Sequence, residues 1–435
     1  MKNLDLIQLN EVNFDLVSQY ASDNPSKFKN LKKIINSFDK KTTFSEKEYS
    51  LLEPWIQWYS AYTGLTAEEH KVFHLGDSKS KKFRTFFDDL NHSKIKMGLI
   101  SPMNLNPEKR TLEYFVSDPW MNLESHGDIF INRISRAVSN LVNKNANGFE
   151  LNSFLSYFWL LFGMMRYAQI KNYLLYFQLI INSRRKSWCK PLLLDLFLSD
   201  MHISMKKKKK VSFSSLFLNA GAHIQHHYLS NSSYLNDAQE NPSWYVEKKH
   251  DPFKDMLTVY DVILKNILEN SSNLIIATGL TQKTFERPVF YYRLKNHEAF
   301  LKKMDIKFSL VEPRMSRDFL ISFECESDLN EAIEKLSMLK SAKYDIKLFE
   351  VLDKVSDKEL FVSLTYPNEV RKECLFNADF LNKPLKIYSD VSFVAIKNAD
   401  HHEKGFFFSN SETTSMKEFH IKNLNKIIKN YYEAN

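Results

Sequence analysis

Short, almost wholly apolar runs recur along this sequence, at Leu4–Val12, Lys96–Ser101, Leu112–Val116, Val211–Leu218 and Leu274–Ala277. Helical patterns lie among them, at Phe28–Ile35, Trp55–Thr63, Lys82–Leu90 and Phe253–Leu268, the second closed by Gly64 as a C-cap. A strand that is apolar on both faces must be covered on both faces, and strands alternating with helices run parallel. The expected fold class is therefore α/β, a mainly parallel sheet sandwiched by helices.

Two stretches break this rhythm. From Asn152 to Ile181 the chain is rich in Leu, Phe, Tyr and Met with no strand punctuation. It reads as helices packed on one another as core or lid, with an interfacial membrane surface as the second reading. Further on, Phe319–Phe323 and Leu360–Leu364 read as strands, and Asp328–Leu339 as a helix opened by Ser327 and Asp328. The predicted organisation is thus a first part of the core at 1–119 and a helical insertion at 120–205. The second part of the core follows at 206–304, a small α+β module at 305–385 and the C-terminal part of the core at 386–435. Within that last part, Ser392–Ile396 and Gly405–Phe408 read as strands and Met416–Tyr431 as a closing helix.

Composition removes several function classes. With 9 glycines in 435 residues, and neither GxGxxG nor GxxxxGK[ST], nucleotide-phosphate loops are not expected. Three cysteines far apart, without CxxC, fit a reducing compartment and no cysteine zinc site. The N-terminus lacks the apolar core of a signal peptide, and Phe154–Met165 is too short to span a bilayer before Arg166 interrupts it. The expected address is the cytoplasm. A net charge of +8 is concentrated locally at Lys206–Lys210, which reads as a solvated loop or as a peripheral contact with an anionic surface such as lipid headgroups. No nucleic-acid partner is expected, since the basic residues are not interleaved with aromatics.

Four ordered segments resemble the type I phosphodiesterase/nucleotide pyrophosphatase branch of the alkaline phosphatase superfamily. They are Leu9-Asn10-Glu11-Val12-Asn13-Phe14-Asp15; Pro54-Trp55-Ile56-Gln57-Trp58 with Tyr62-Thr63-Gly64-Leu65 and His70-Lys71-Val72-Phe73; Ala222-His223-Ile224-Gln225-His226; and His401-His402-Glu403-Lys404-Gly405. The resemblance implies an alkaline phosphatase-like core and, in the family, two zinc-like ions with a Thr or Ser nucleophile. Here the positions it assigns to one metal hold Ala222, His226 and His401, and those of the second hold Glu11, Pro54, Thr278 and Gly279. Most of the two-metal centre is thus replaced, and the implied cofactor is none or one zinc-like ion at His226 and His401.

The remaining polar residues supply the other candidates. Glu11, at the end of an apolar strand, reads as a general base or as a helix cap, and His226 as its acid–base partner. Asn10, Asn13, His223, Thr278, Gln282 and His402 are candidate substrate-binding residues. His223, His226 and His227 share a helical face. Asp77 and Asp118 read as turn residues, and Ser60 and Thr63 lie too far along their helix to replace the nucleophile.

Three functions remain open. One is a divergent enzyme that transfers or cleaves a group on a phosphorylated or glycosylated substrate, for instance a glycosyltransferase in surface polysaccharide synthesis. The second is a single-metal phosphodiesterase- or phosphatase-type hydrolase, and the third a non-catalytic binder of an anionic or glycan small molecule. On the first, Glu11→Gln abolishes turnover and leaves folding nearly intact.

Overall fold

The computed structural model describes residues 2–81, 83–107, 110–121, 123–143, 151–235, 239–314, 317–356 and 358–433. Two compact units divide the chain. One comprises Met1–Asp237, Pro242–Thr284 and Ala399–Asn435, and the other Ala238–Asn241 and Phe285–Asn398.

The first unit is built on an eight-stranded sheet. Its order is Glu418–His420, Asp39–Phe44, Lys404–Ser409, Leu274–Ala277, Leu4–Leu9, Phe213–Leu218, Met97–Ile100, Leu112–Val116. Lys404–Ser409 runs against both of its neighbours, whereas every other pairing is parallel. The α/β class is observed. Leu4–Leu9 shows why both sheet faces are covered. Leu4 and Leu6 enter one hydrophobic core, Ile7 and Leu9 the other, and all four are fully buried. The polar residues of this strand are matched in the interior: Gln8 donates to the Tyr62 hydroxyl at 2.8 Å and accepts from Ser215 at 2.8 Å, and Asp5 is bound by Ser214 and Lys206.

Helix Pro54–Thr63 begins with proline at its first turn, where no N–H is needed, and ends at Gly64 with φ of 76°. The helix expected from Lys82 is shorter and starts at Phe86, capped by Thr85 and Asp88; Lys82 lies outside the described residues. The closing helix is also shorter than the sequence pattern. Glu418–His420 instead pairs in parallel with Asp39–Phe44, and the helix spans Leu424–Glu433.

Helices Ile131–Asn143, Leu151–Tyr167, Tyr173–Asn182 and Cys189–Lys209 occupy the stretch expected to be helical. Lys206–Lys209 is not a loop but the last turn of a 21-residue helix, where cations favour the negative end of the helix dipole. Lys206 itself pairs with Asp5 and donates to the Asn270 carbonyl at 2.9 Å.

The second unit has its own core, under a four-stranded antiparallel sheet ordered Phe349–Ser356, Glu359–Leu364, Asp318–Ser322, Leu310–Pro313. Helix Glu326–Met338 packs there through Leu329, Ala332 and Leu336; its N-cap is Cys325 rather than Ser327 or Asp328.

Candidate metal centre

The site lies beyond the carboxyl ends of Leu4–Leu9, Phe213–Leu218 and Leu274–Ala277, where parallel sheets leave a crevice. Asn10 and Glu11 leave the first of these strands. Glu11 takes a left-handed backbone conformation with φ of 62°, costly for a residue with a long side chain. Two bonds hold it there: its N–H donates to the Thr278 carbonyl at 3.0 Å, and its own carbonyl accepts from Gln225 Nε2 at 2.8 Å. The turn aims the carboxylate into the interior, leaving the residue 1% exposed.

Both carboxylate oxygens are engaged. Asn10 Nδ2 donates to Oε1 at 2.9 Å, and Gln282 Nε2 donates to Oε2. Asn10 is fixed in turn by Trp58 Nε1, which donates to its Oδ1 at 2.8 Å, and by Asn219 Oδ1, which accepts from its Nδ2 at 2.8 Å. Helix Ala220–Tyr228 presents His226, and strand Val391–His402 presents His401. His226 Nε2 lies 3.0 Å and His401 Nε2 3.2 Å from Glu11 Oε2, and the two nitrogens are 3.1 Å apart. Burial alone would raise the Glu11 pKa, but the charges of His401 and His226 and their hydrogen bonds outweigh it. The carboxyl is held well below its usual range.

The far nitrogens explain what this triangle is suited to. His226 Nδ1 faces the Ala399 carbonyl at 3.3 Å, and His401 Nδ1 faces the Glu53 carboxylate at 3.7 Å. When the imidazoles are neutral, the Ala399 carbonyl favours the proton on His226 Nδ1, and the Glu53 carboxylate draws it toward Nδ1 of His401, which frees both Nε2 lone pairs to bind an ion. Protons on the imidazoles relieve the crowding of these three donors when no ion is bound, and a cation among them would do the same. Tetrahedral zinc with ligands at about 2.0–2.1 Å spaces its donors about 3.3 Å apart. The observed edges are close to that value. These residues fit one zinc-like ion, and among the described residues they are the group with this geometry.

The other expected site residues divide. Asn10 and Gln282 touch Glu11; Gln282 also donates to the Ala222 carbonyl at 3.0 Å, and its Oε1 is buried without a partner. His223 is packed against His227, its pKa pushed down to about 4 by burial and then by the charge of His226. Three further candidates make contacts to the backbone. Asn13 caps helix Phe14–Asp23 by accepting from the N–H groups of Asp15 and Leu16. The Thr278 hydroxyl accepts from the Phe406 N–H at 2.9 Å. His402 Nδ1 accepts from the Lys404 N–H at 3.2 Å, where the strand turns.

Asp77 caps the N–H groups of Phe73 and His74, whereas buried Asp118 accepts from Trp120 and Asn104, with burial raising its pKa to about 7. Glu53, Asn219, Gln225 and the Ala399 carbonyl escape sequence reasoning. Only Glu53 carried a signal, as the carboxylate immediately before the Pro54 segment.

No protein-family model matches the chain, and no curated protein does. Among solved structures, the chain is similar to phosphonoacetate hydrolase from Sinorhizobium meliloti 1021, with 9% identity, a TM-score of 0.44, and coverage of 99% of this chain and 95% of that one. It is also similar to murine ectonucleotide pyrophosphatase/phosphodiesterase 5, with 10% identity, a TM-score of 0.41, and coverage of 99% and 95%. These neighbours are members of the alkaline phosphatase superfamily.

Proposed function

We propose that the chain is a single-metal hydrolase of phosphorylated small molecules, with Glu11, His226 and His401 holding the ion. The observation that carries this reading is the convergence of His226 Nε2, His401 Nε2 and Glu11 Oε2 within 3.0–3.2 Å of one another. The phosphorylated substrate class rests on the resemblance of the four ordered segments. A bound ion supplies Lewis acidity toward a substrate oxygen.

The chain's own residues supply orientation rather than a nucleophile. Asn10 and Gln282 fix the carboxylate, while the Ala399 carbonyl and Glu53 fix the imidazoles. Pro54 has no reactive side chain. Thr63 Oγ1 donates to the Tyr59 carbonyl at 2.9 Å. Ser60 lies 2.9 Å from His70 Nε2, but His70 Nδ1 already accepts from the Val72 N–H, so Nε2 carries the proton and cannot take one from Ser60. The attacking group therefore comes from solvent, and no covalent adduct forms at the helix head. The transferase reading requires Glu11 as a free base, yet both its oxygens accept hydrogen bonds and its pKa is depressed.

Elemental analysis of protein purified without chelator, followed by turnover of p-nitrophenyl phosphate and bis-p-nitrophenyl phosphate, tests the proposal. One ion per chain is expected, with activity lost on chelation and lowered at least about 100-fold by His226→Ala or His401→Ala. Turnover that survives chelation and both substitutions overturns it.

A further inference from the structure

Two consecutive helices turn large apolar side chains to solvent. On Leu151–Tyr167, Phe154 is 75% exposed, Phe158 52%, Leu161 55% and Met165 72%. On and just before Tyr173–Asn182, Ile170 is 82% exposed, Leu174 68%, Phe177 61% and Ile181 51%. Both sets step by four, three and four residues, so each is one stripe along a helix. The opposite faces already serve the core, through Met164 and Tyr167 on the first helix and Tyr176 and Leu179 on the second. At about 100 Å² for a half-exposed large side chain, each four-residue stripe offers on the order of 400 Å². A soluble monomer's largest apolar patch is typically about 300–600 Å², so each stripe by itself is as large as such a patch.

Cations follow the ends of these stripes in the chain. A cavity of about 740 Å³ at the junction of the two helices is lined by Arg166, Lys171, Lys207 and Lys208, among others. Exposed Arg184 and Arg185 follow the second helix. Asp128 pairs with Arg166 and Lys208, and Glu269 with Lys171, which leaves the cations in excess.

We propose that this helix pair lies in the surface of an anionic phospholipid bilayer. Its apolar stripes enter the acyl boundary, and headgroup phosphates meet the basic cavity. No helix among the described residues is long and apolar enough to cross a membrane. A second copy is a poorer occupant, because a twofold contact sets the same patch against itself and would bring this basic surface onto its own image. The proposal is independent of the chemistry at Glu11.

Co-sedimentation of the intact chain with phosphatidylcholine vesicles, with and without phosphatidylglycerol, is the test. Binding is expected only with phosphatidylglycerol and weakens as salt rises. Phe158→Glu with Leu174→Glu should abolish it. Arg184→Glu with Arg185→Glu, which spares the apolar stripes, should weaken it at least about 25-fold, roughly fivefold per basic residue. All four positions are exposed, so circular dichroism should be unchanged. Equal retention of the Phe158/Leu174 variant on vesicles overturns the proposal. So does self-association of the wild type that this variant abolishes, with no vesicle binding.

Discussion

Replacing Glu11 by Gln separates the hydrogen-bonding role of this side chain from its ligand role. Asn10 donates to one carboxylate oxygen and Gln282 to the other. A glutamine in this pocket must therefore turn its own amide donor onto one of theirs, whichever way it is flipped. A buried donor left without an acceptor costs about 1–3 kcal/mol. In chelator, where the His226 and His401 Nε2 atoms also donate toward Oε2 and so offer the new amide no acceptor, the variant should be less stable by that amount. Zinc held at about 100 times its dissociation constant should add about 2.7 kcal/mol to the wild type. The neutral, weaker donor should gain almost none of this at the same concentration. All six tryptophans lie in the unit that contains the site, so tryptophan fluorescence during urea unfolding follows that unit alone. Equal stability of the two proteins in chelator would refute the hydrogen-bond argument. Equal zinc stabilisation would remove Glu11 from the ligand set.

Three further outcomes follow from the same geometry. Glu53→Gln should weaken zinc binding by about 10-fold to 100-fold, as loss of an outer partner to a ligating histidine does, and competition with a chromophoric chelator measures it. Gly405→Ala should destabilise by about 1–3 kcal/mol in urea unfolding, because a Cβ there would lie 2.5 Å from both the Gly279 carbonyl oxygen and Thr43 Oγ1. Burial raises the Asp118 pKa from 3.8 to about 7, so the folded state holds its proton over a range in which the unfolded chain has released it. The stability of the wild type minus that of Asp118→Asn should therefore fall as pH rises from about 4 to about 7; a flat or rising difference contradicts the assignment.

Much of the sheet was legible because its strands are apolar on both faces. Leu112–Val116 and Leu274–Ala277 have the bounds that the sequence suggests. Glu418–His420 was hidden, since Phe419 suits a helical stripe as well as it suits an edge strand, and only the pairing with Asp39–Phe44 decides. At the site, strand position and segment resemblance pointed to Glu11, His226 and His401. The Asn13, Thr278 and His402 side chains each accept from backbone N–H groups, contacts that no side-chain pattern reveals. Glu11→Gln reads as harmless to folding from sequence. The two amides that face it come from the neighbouring position and from residue 282, and their directions belong to the folded state.

The reversed strand Lys404–Ser409 has a consequence for synthesis. It fills the gap between Leu274–Ala277 and Asp39–Phe44, and the strand just before it, Val391–His402, carries His401 into the site. A growing polypeptide therefore displays two unpaired strand edges until nearly everything else in the sheet has emerged from the ribosome. Such edges invite pairing with other chains. The segment that completes the ligand triangle is also the one that closes the sheet, so a nascent chain cannot assemble the three donors while those edges remain open.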